Sequence, residues 1–231
     1  MKLEKKALKK ESKPKISVNK LAEYHQASPT RRKQIIKNLK EEKDFFKVYY
    51  SEVRNSLSGF IRSGYDKARL DTAIKRIEAK KGTTEWDGRD NPNSILALKS
   101  LKRIALPDIS DYDVVTDIEK IANIDLAGVD VSIKPEVYLR HKKTGKIGGI
   151  KVHIAKTESN RLNSTGLEHA AIIMKHGFVE YGFNENEIDN KACITIDVFQ
   201  ETYGVAPKAY KRSLDSLTAS CEEIAARWPT L

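Results

Sequence analysis

The apolar positions along the chain follow two different periods. Between residue 17 and residue 80 they recur every three or four residues, the spacing of one helix face. Leu21 and Tyr24 share a side of VNKLAEYHQ. Ile35, Ile36 and Leu39 share a side of the next segment, which opens on Ser28 and Pro29, a good N-cap followed by a residue suited to the first helical position. Phe46, Tyr49, Val53, Leu57, Phe60 and Ile61 predict a helix over 45–61, stopped by Ser63-Gly64. Leu70, Ala73, Ile74 and Ile77 predict another over 66–79. Residues 81–93, KGTTEWDGRDNPN, are rich in turn formers and read as a linker or loop. Helical spacing resumes over 94–104 and near 112–122.

Beyond residue 128 the period shortens to two. Val129, Val131 and Ile133 alternate with polar residues, and EVYLRH and IGGIKVHIA are β-rich and joined by the turn KKTGK. A helix is expected over 165–175, with Thr165 and Glu168 at capping-box positions and Gly177 closing it. KACITIDVF reads as a strand, and Tyr210, Leu214, Leu217, Cys221, Ile224 and Trp228 as the stripe of a last helix over 208–228. The fold class is α+β: an N-terminal helical region, an αβββαβ core over 94–200 and a long C-terminal helix. The chain divides into a basic disordered tail (1–16), a basic helical region (17–80), the linker (81–93) and an α/β domain (94–231).

Charge adds a second asymmetry. Residues 1–43 hold twelve Lys and two Arg against five Glu, which is nine of the ten net positive charges of the 231-residue chain. So local a field implies attraction to a polyanion. Arg31, Arg32, Lys33 and Lys37 are the candidate phosphate contacts there, with Lys156 and Arg161 continuing a basic surface along the sheet edge. No zinc-finger, basic-zipper or RNP pattern supports base-specific reading. Cys193 and Cys221 stand alone, so neither a disulfide framework nor a four-cysteine metal site is expected, and a reducing compartment fits. No apolar run suits a membrane span or a secretory signal, so a soluble, cytoplasmic protein with no membrane partner is expected.

Cleavage of a phosphodiester with a metal needs carboxylates converging on Mg²⁺ and a cation near the attacked phosphate or water. Glu136 follows Pro135 at the start of one predicted strand; Lys151 lies on the partner strand, and His153 shares its face. KPE (134–136) and GGIKVHI (148–154) resemble the PD-(D/E)XK, or restriction-endonuclease-like, nuclease superfamily, whose core has the order αβββαβ. That resemblance implies Glu136 as a Mg²⁺ ligand and Lys151, with His153 beside it, as catalytic. The second acid of the pattern would fall at 149, where this chain has Gly149. Glu168 or Asp130, and more weakly Glu119, are the candidate replacements. The plainer readings are a capping Glu168, an edge-strand Glu136, a solvent-facing Lys151 and a half-buried His153.

The expectation is therefore a DNA-associated protein, either a Mg²⁺-dependent nuclease or a catalytically inactive nucleic-acid-binding or assembly subunit on the same core, with a protein partner or a second copy of itself. ISVNKLAEY, IKVHIAK, ITIDVF and EIAARW also resemble a bacterial protein family that carries no established activity, which implies a bacterial cytoplasmic setting.

Overall fold

The computed structural model describes residues 13–41, 50–80, 85–116 and 123–231, with side chains for all of these but 85–87. The described residues form seven α-helices and eight strands in a mixed α+β fold. In chain order these are β1 (Lys15–Ser17), α1 (Val18–Gln26), α2 (Pro29–Lys40), α3 (Ser51–Arg62), α4 (Lys67–Ala79), α5 (Glu85–Arg103), β2 (Tyr112–Val115), β3 (Asn123–Leu126), β4 (Val129–Ser132), β5 (Val137–His141), β6 (Ile147–His153), α6 (Ser164–Glu180), β7 (Ile188–Asp197), β8 (Thr202–Val205) and α7 (Lys211–Arg227).

A five-stranded sheet in the order β2-β5-β6-β7-β8 forms the centre. β2, β5 and β6 pair antiparallel; α6 then crosses over so that β7 runs parallel to β6, and β8 returns antiparallel to β7. Alternation along the strands sends residues to two separate cores. Val137, Leu139, Ile150, Val152, Ala192, Ile194 and Ile196 face α3, α4 and α5. Tyr138, Ile147 and Cys193 face α6, α7, α1 and α2. A small sheet, β1-β4-β3, completes the second layer. Its hairpin turns on Ala127 and Gly128, both at positive φ (47° and 80°), the geometry that matches strand twist in a two-residue loop.

The N-terminal helices are therefore integral. Ser17 caps α1 and Ser28 caps α2, and Val18, Leu21, Ala22, Tyr24, Ile35 and Ile36 are buried in the core shared with α6 and α7. The segment 17–80 is divided between the two layers, since α3 and α4 join the opposite core.

Several expectations are corrected. Lys15 and Ile16 belong to β1, paired parallel with β4, rather than to a disordered tail; the rest of that tail lies outside the described residues up to residue 12. Residues 85–93 are the first half of α5 and not a linker, although Pro92 sits inside the helix. The buried Asp90 on that half accepts the Tyr50 N–H at 2.9 Å, a tertiary bond that outweighs the local turn preference. Tyr112–Val115 is a strand and not a helix, because YDVV pairs along its whole length with β5. α6 is capped by Asn163, whose Oδ1 accepts the Gly166 N–H at 2.8 Å, so Thr165 and Glu168 form no capping box. Gly177 lies inside α6, where a Cβ would stand 1.8 Å from the Ile133 Cδ1: it is a close-contact residue, not the helix end.

Candidate functional site

The site grows out of how β5 and β6 come apart. The last ladder bond between them is Glu136 N–H to the Ile150 carbonyl, 2.8 Å. Before it stands Pro135, which has no N–H to give, and Lys134 at φ 26° turns the chain away. Val152, two residues further along β6, aims its N–H and carbonyl at the same side, where β5 no longer runs. Side chains complete the ladder instead. Glu136 Oε2 accepts the Val152 N–H at 2.8 Å, and Asn19 Nδ2 donates to the Val152 carbonyl at 3.0 Å. Unpaired buried backbone groups are costly, which explains both side chains without any reaction.

Glu136 and Lys151 do meet. The Lys151 amine donates to the Lys134 carbonyl at 2.6 Å and to Glu136 Oε1 at 3.3 Å, and Arg54 Nη1 stands 3.9 Å from that oxygen. Burial pushes the Glu136 carboxyl up, against the pull of Lys151, the Val152 N–H and Arg54. Lys151 is only 12% exposed, so it is not a solvent-facing lysine.

The other carboxylates do not join them. Asp130 lies in the small sheet, 4.0 Å from the Lys15 amine, and accepts from Asn123 Nδ2 at 3.2 Å. Glu168 is exposed, and its backbone N–H packs on Gly204 of β8, three strand spacings or roughly 14 Å from β5. Glu119 lies outside the described residues. A Cβ at Gly149 would stand 3.2 Å from two atoms of the Pro135 ring and from the Val137 carbonyl oxygen, so a side chain at the place of the pattern's second acid would press on both. Among the described residues no group of three or more His, Cys, Asp or Glu side chains could hold a metal ion. The donor set does not fit Mg²⁺: one carboxylate is present, and protein groups already compensate it.

His153 shares the Lys151 face and is buried. Its Nε2 lies 2.8 Å from the Asn160 carbonyl, an acceptor only, so the ring proton is on Nε2. Asp197, fully buried at the end of β7, stands 3.8 Å behind Nε2. Its Oδ2 accepts the Leu162 N–H at 2.8 Å and its Oδ1 accepts those of Phe199 and Gln200, both at 3.0 Å. Burial depresses the His153 pKa, with Asp197 opposing, so the ring is neutral near pH 7.

Past the ends of β6 and β7 opens a cleft of about 720 Å³, walled by the start of α1, the first turn of α3, Asn93 of α5 and the loop from His153 to Asn160. This is the carboxyl edge of the parallel pair, where sheets of this kind leave a crevice. Lys20, Arg54 and Lys156 line it against one carboxylate, the buried Glu23. Glu23 is held by Lys20 and by Arg31, whose guanidinium is 2.7 Å away. Lys156 is exposed and donates to Asn93 Oδ1 at 2.8 Å.

The remaining expected phosphate contacts have other places. Arg31 also donates to Asn160 Oδ1 at 2.8 Å, which ties α2 to the cleft loop. Arg32 donates to the carbonyls of Tyr24 and His25 and pairs with Glu223 of α7 at 2.9 Å, so it fastens helices together. Arg161 donates to the Lys156 carbonyl at 2.9 Å and stacks over Phe199. Lys33 and Lys37 are exposed on α2 and do not line the cleft. Asn19, Lys20, Arg54, Asn160 and Asp197 were not anticipated. Only Asp197 carried a signal, as a lone carboxylate in the apolar run ACITIDVF.

No protein-family model matches the chain, and no curated protein matches it. Among the described residues no helix is long and apolar enough to cross a membrane.

Proposed function

We propose that this protein is a nucleic-acid-associated protein that holds a stretch of phosphodiester backbone in the cleft at the carboxyl edge of β6 and β7, without metal-dependent hydrolysis. The observation that carries this reading is the lining: Lys20, Arg54 and Lys156 around one recessed carboxylate, in a cleft of about 720 Å³ that suits one or two nucleotides rather than a duplex. The N-terminus of α1 opens on the same space and adds its positive end to the field. The order α5, β2, β5, β6, α6, β7 and the Glu136–Lys151 pair support a likeness to the PD-(D/E)XK core. The carboxylate set supports the inactive form of that reading over the nuclease: Glu136 completes the β6 ladder, and Gly149 brings no second acid and is crowded by the Pro135 ring.

The test is fluorescence anisotropy with labelled single-stranded 12-mers at low salt, in EDTA and in Mg²⁺, with the probes run on a gel afterwards. Binding without cleavage is expected. The logarithm of affinity should fall with the logarithm of salt with a slope of about −2, from roughly three phosphate contacts at −0.7 each. Arg54→Glu and Lys156→Glu should each weaken binding about tenfold or more. Affinity indifferent to both variants would remove the cleft from the binding surface. Mg²⁺-dependent cleavage lost in Glu136→Ala would restore the nuclease reading.

A further inference from the structure

The nucleic-acid reading leaves open which sugar the cleft takes, and one atom bears on it. The cleft's cations recognise phosphate and are indifferent to the sugar. His153 lines the same cleft. Its Nε2 is fixed as a donor by the Asn160 carbonyl at 2.8 Å, and Asp197 stands 3.8 Å from the same nitrogen. The ring therefore leaves Nδ1 as an acceptor in the cleft lining, since both contacts of the ring fall on Nε2. The Asn160 carbonyl and the Asp197 carboxylate both favour this tautomer. Asn160 is tied in turn by Arg31, and Asp197 is held by three backbone N–H groups.

A fixed acceptor set among cations asks for a ligand with a hydroxyl donor close to its phosphate. A DNA backbone has no donor at all. An RNA backbone has one, the 2′-hydroxyl, on the carbon beside the 3′-phosphate linkage. Resting on the nucleic-acid reading, we infer that the cleft selects single-stranded RNA over single-stranded DNA, with the 2′-hydroxyl of one ribose donating to His153 Nδ1 while Lys20, Arg54 and Lys156 hold the flanking phosphates. His153 is here a specificity residue. No bond is made or broken.

The experiment varies the ligand and leaves the fold untouched. The wild-type protein, in EDTA, is titrated by anisotropy with labelled 12-mers of uridine, 2′-deoxyuridine and 2′-fluoro-2′-deoxyuridine. The fluoro strand keeps the ribose-like pucker but cannot donate. The ribo strand should bind about three- to tenfold more tightly than either of the others, the worth of one hydrogen bond. A fluoro strand that binds like RNA would overturn the inference, because pucker and not donation would then be read. Equal affinity for all three strands, still lost in Arg54→Glu, would also overturn it while leaving the cleft as a nucleic-acid site. No binding of any strand would remove the underlying reading along with it.

Discussion

Asp197 is the most exacting place to test this account, because a buried carboxylate there organises backbone rather than solvent. Its two oxygens accept the N–H groups of Leu162, Phe199 and Gln200 at 2.8, 3.0 and 3.0 Å. Asp197→Asn keeps the shape but replaces one oxygen with an amide NH₂. Turned one way, the NH₂ faces the Leu162 N–H; turned the other, it faces both Phe199 and Gln200. The smaller loss is one hydrogen bond to a charged acceptor, about 1.5–3 kcal/mol, plus the cost of leaving the buried Leu162 donor unpaired, about 1–3 kcal/mol. We therefore expect Asp197→Asn to destabilise by about 2.5–6 kcal/mol, and Asp197→Ala by more, as all three bonds go. Urea unfolding followed by far-ultraviolet circular dichroism measures it, as a fall in midpoint at unchanged slope. Hydrogen exchange should show the Leu162 amide losing protection first. A loss under about 1 kcal/mol in Asp197→Asn would refute the reasoning, since the loop of the cleft would then be anchored by something else.

Three further outcomes follow from the packing. Gly148→Ala should cost about 2–4 kcal/mol in the same assay, since the new Cβ would stand 2.4 Å from the Ala192 Cβ and 2.5 Å from its carbonyl oxygen, where only backbone movement makes room. Ile36→Ala, on a fully buried α2 position, should cost about 2–5 kcal/mol, whereas a dispensable N-terminal arm would show no change. Burial, with His25 beside it, pulls the His169 pKa down to about 4 from an ordinary 6.5. The unfolded chain then binds the proton more readily, so stability is full above about pH 6.5 and is lost as pH falls towards 4. His169→Leu, which also removes a buried Nδ1 without a partner, should erase about 2 kcal/mol of the difference between pH 8 and pH 5; an unchanged pH profile would contradict it.

Helices with a clean apolar stripe were legible in the sequence. α2 begins at the expected cap, Ser28, and buries Ile35 and Ile36 with Leu39 half-buried, and α4 buries Leu70, Ala73, Ile74 and Ile77 as expected. The hairpin of β5 and β6 was legible because both strands alternate and a short turn joins them, and this brought Glu136, Lys151 and His153 to one region. Apart from VDVS, whose alternation continues to Ile133, strands of three or four residues were not: KIS, YDVV, NIDL and TYGV are too short to show a period. Their state is set by partners distant in the chain, as Lys15 by Asp130. The cleft escaped for the same reason. Lys20, Arg54, Asn93 and Lys156 come from three helices and a loop, and of these only Lys156 was marked, as part of a basic sheet edge. Arg31 and Arg32 show the converse ambiguity, since a run of cations reads alike whether it meets phosphate or, as here, the carboxylates of Glu23 and Glu223.

The position of α1 and α2 also sets a schedule for biosynthesis. Their apolar faces, Leu21, Ile35 and Ile36 among them, leave the ribosome early, but the core that covers them includes α6 and α7. At 5–20 residues per second the wait from Lys40 to the start of α7 at Lys211 is roughly 10–35 s. For that interval the nascent chain displays an uncovered amphipathic pair, a natural client surface for a holding chaperone. The cleft wall built from Asn19 and Lys20 comes into being only once the closing helix has been made.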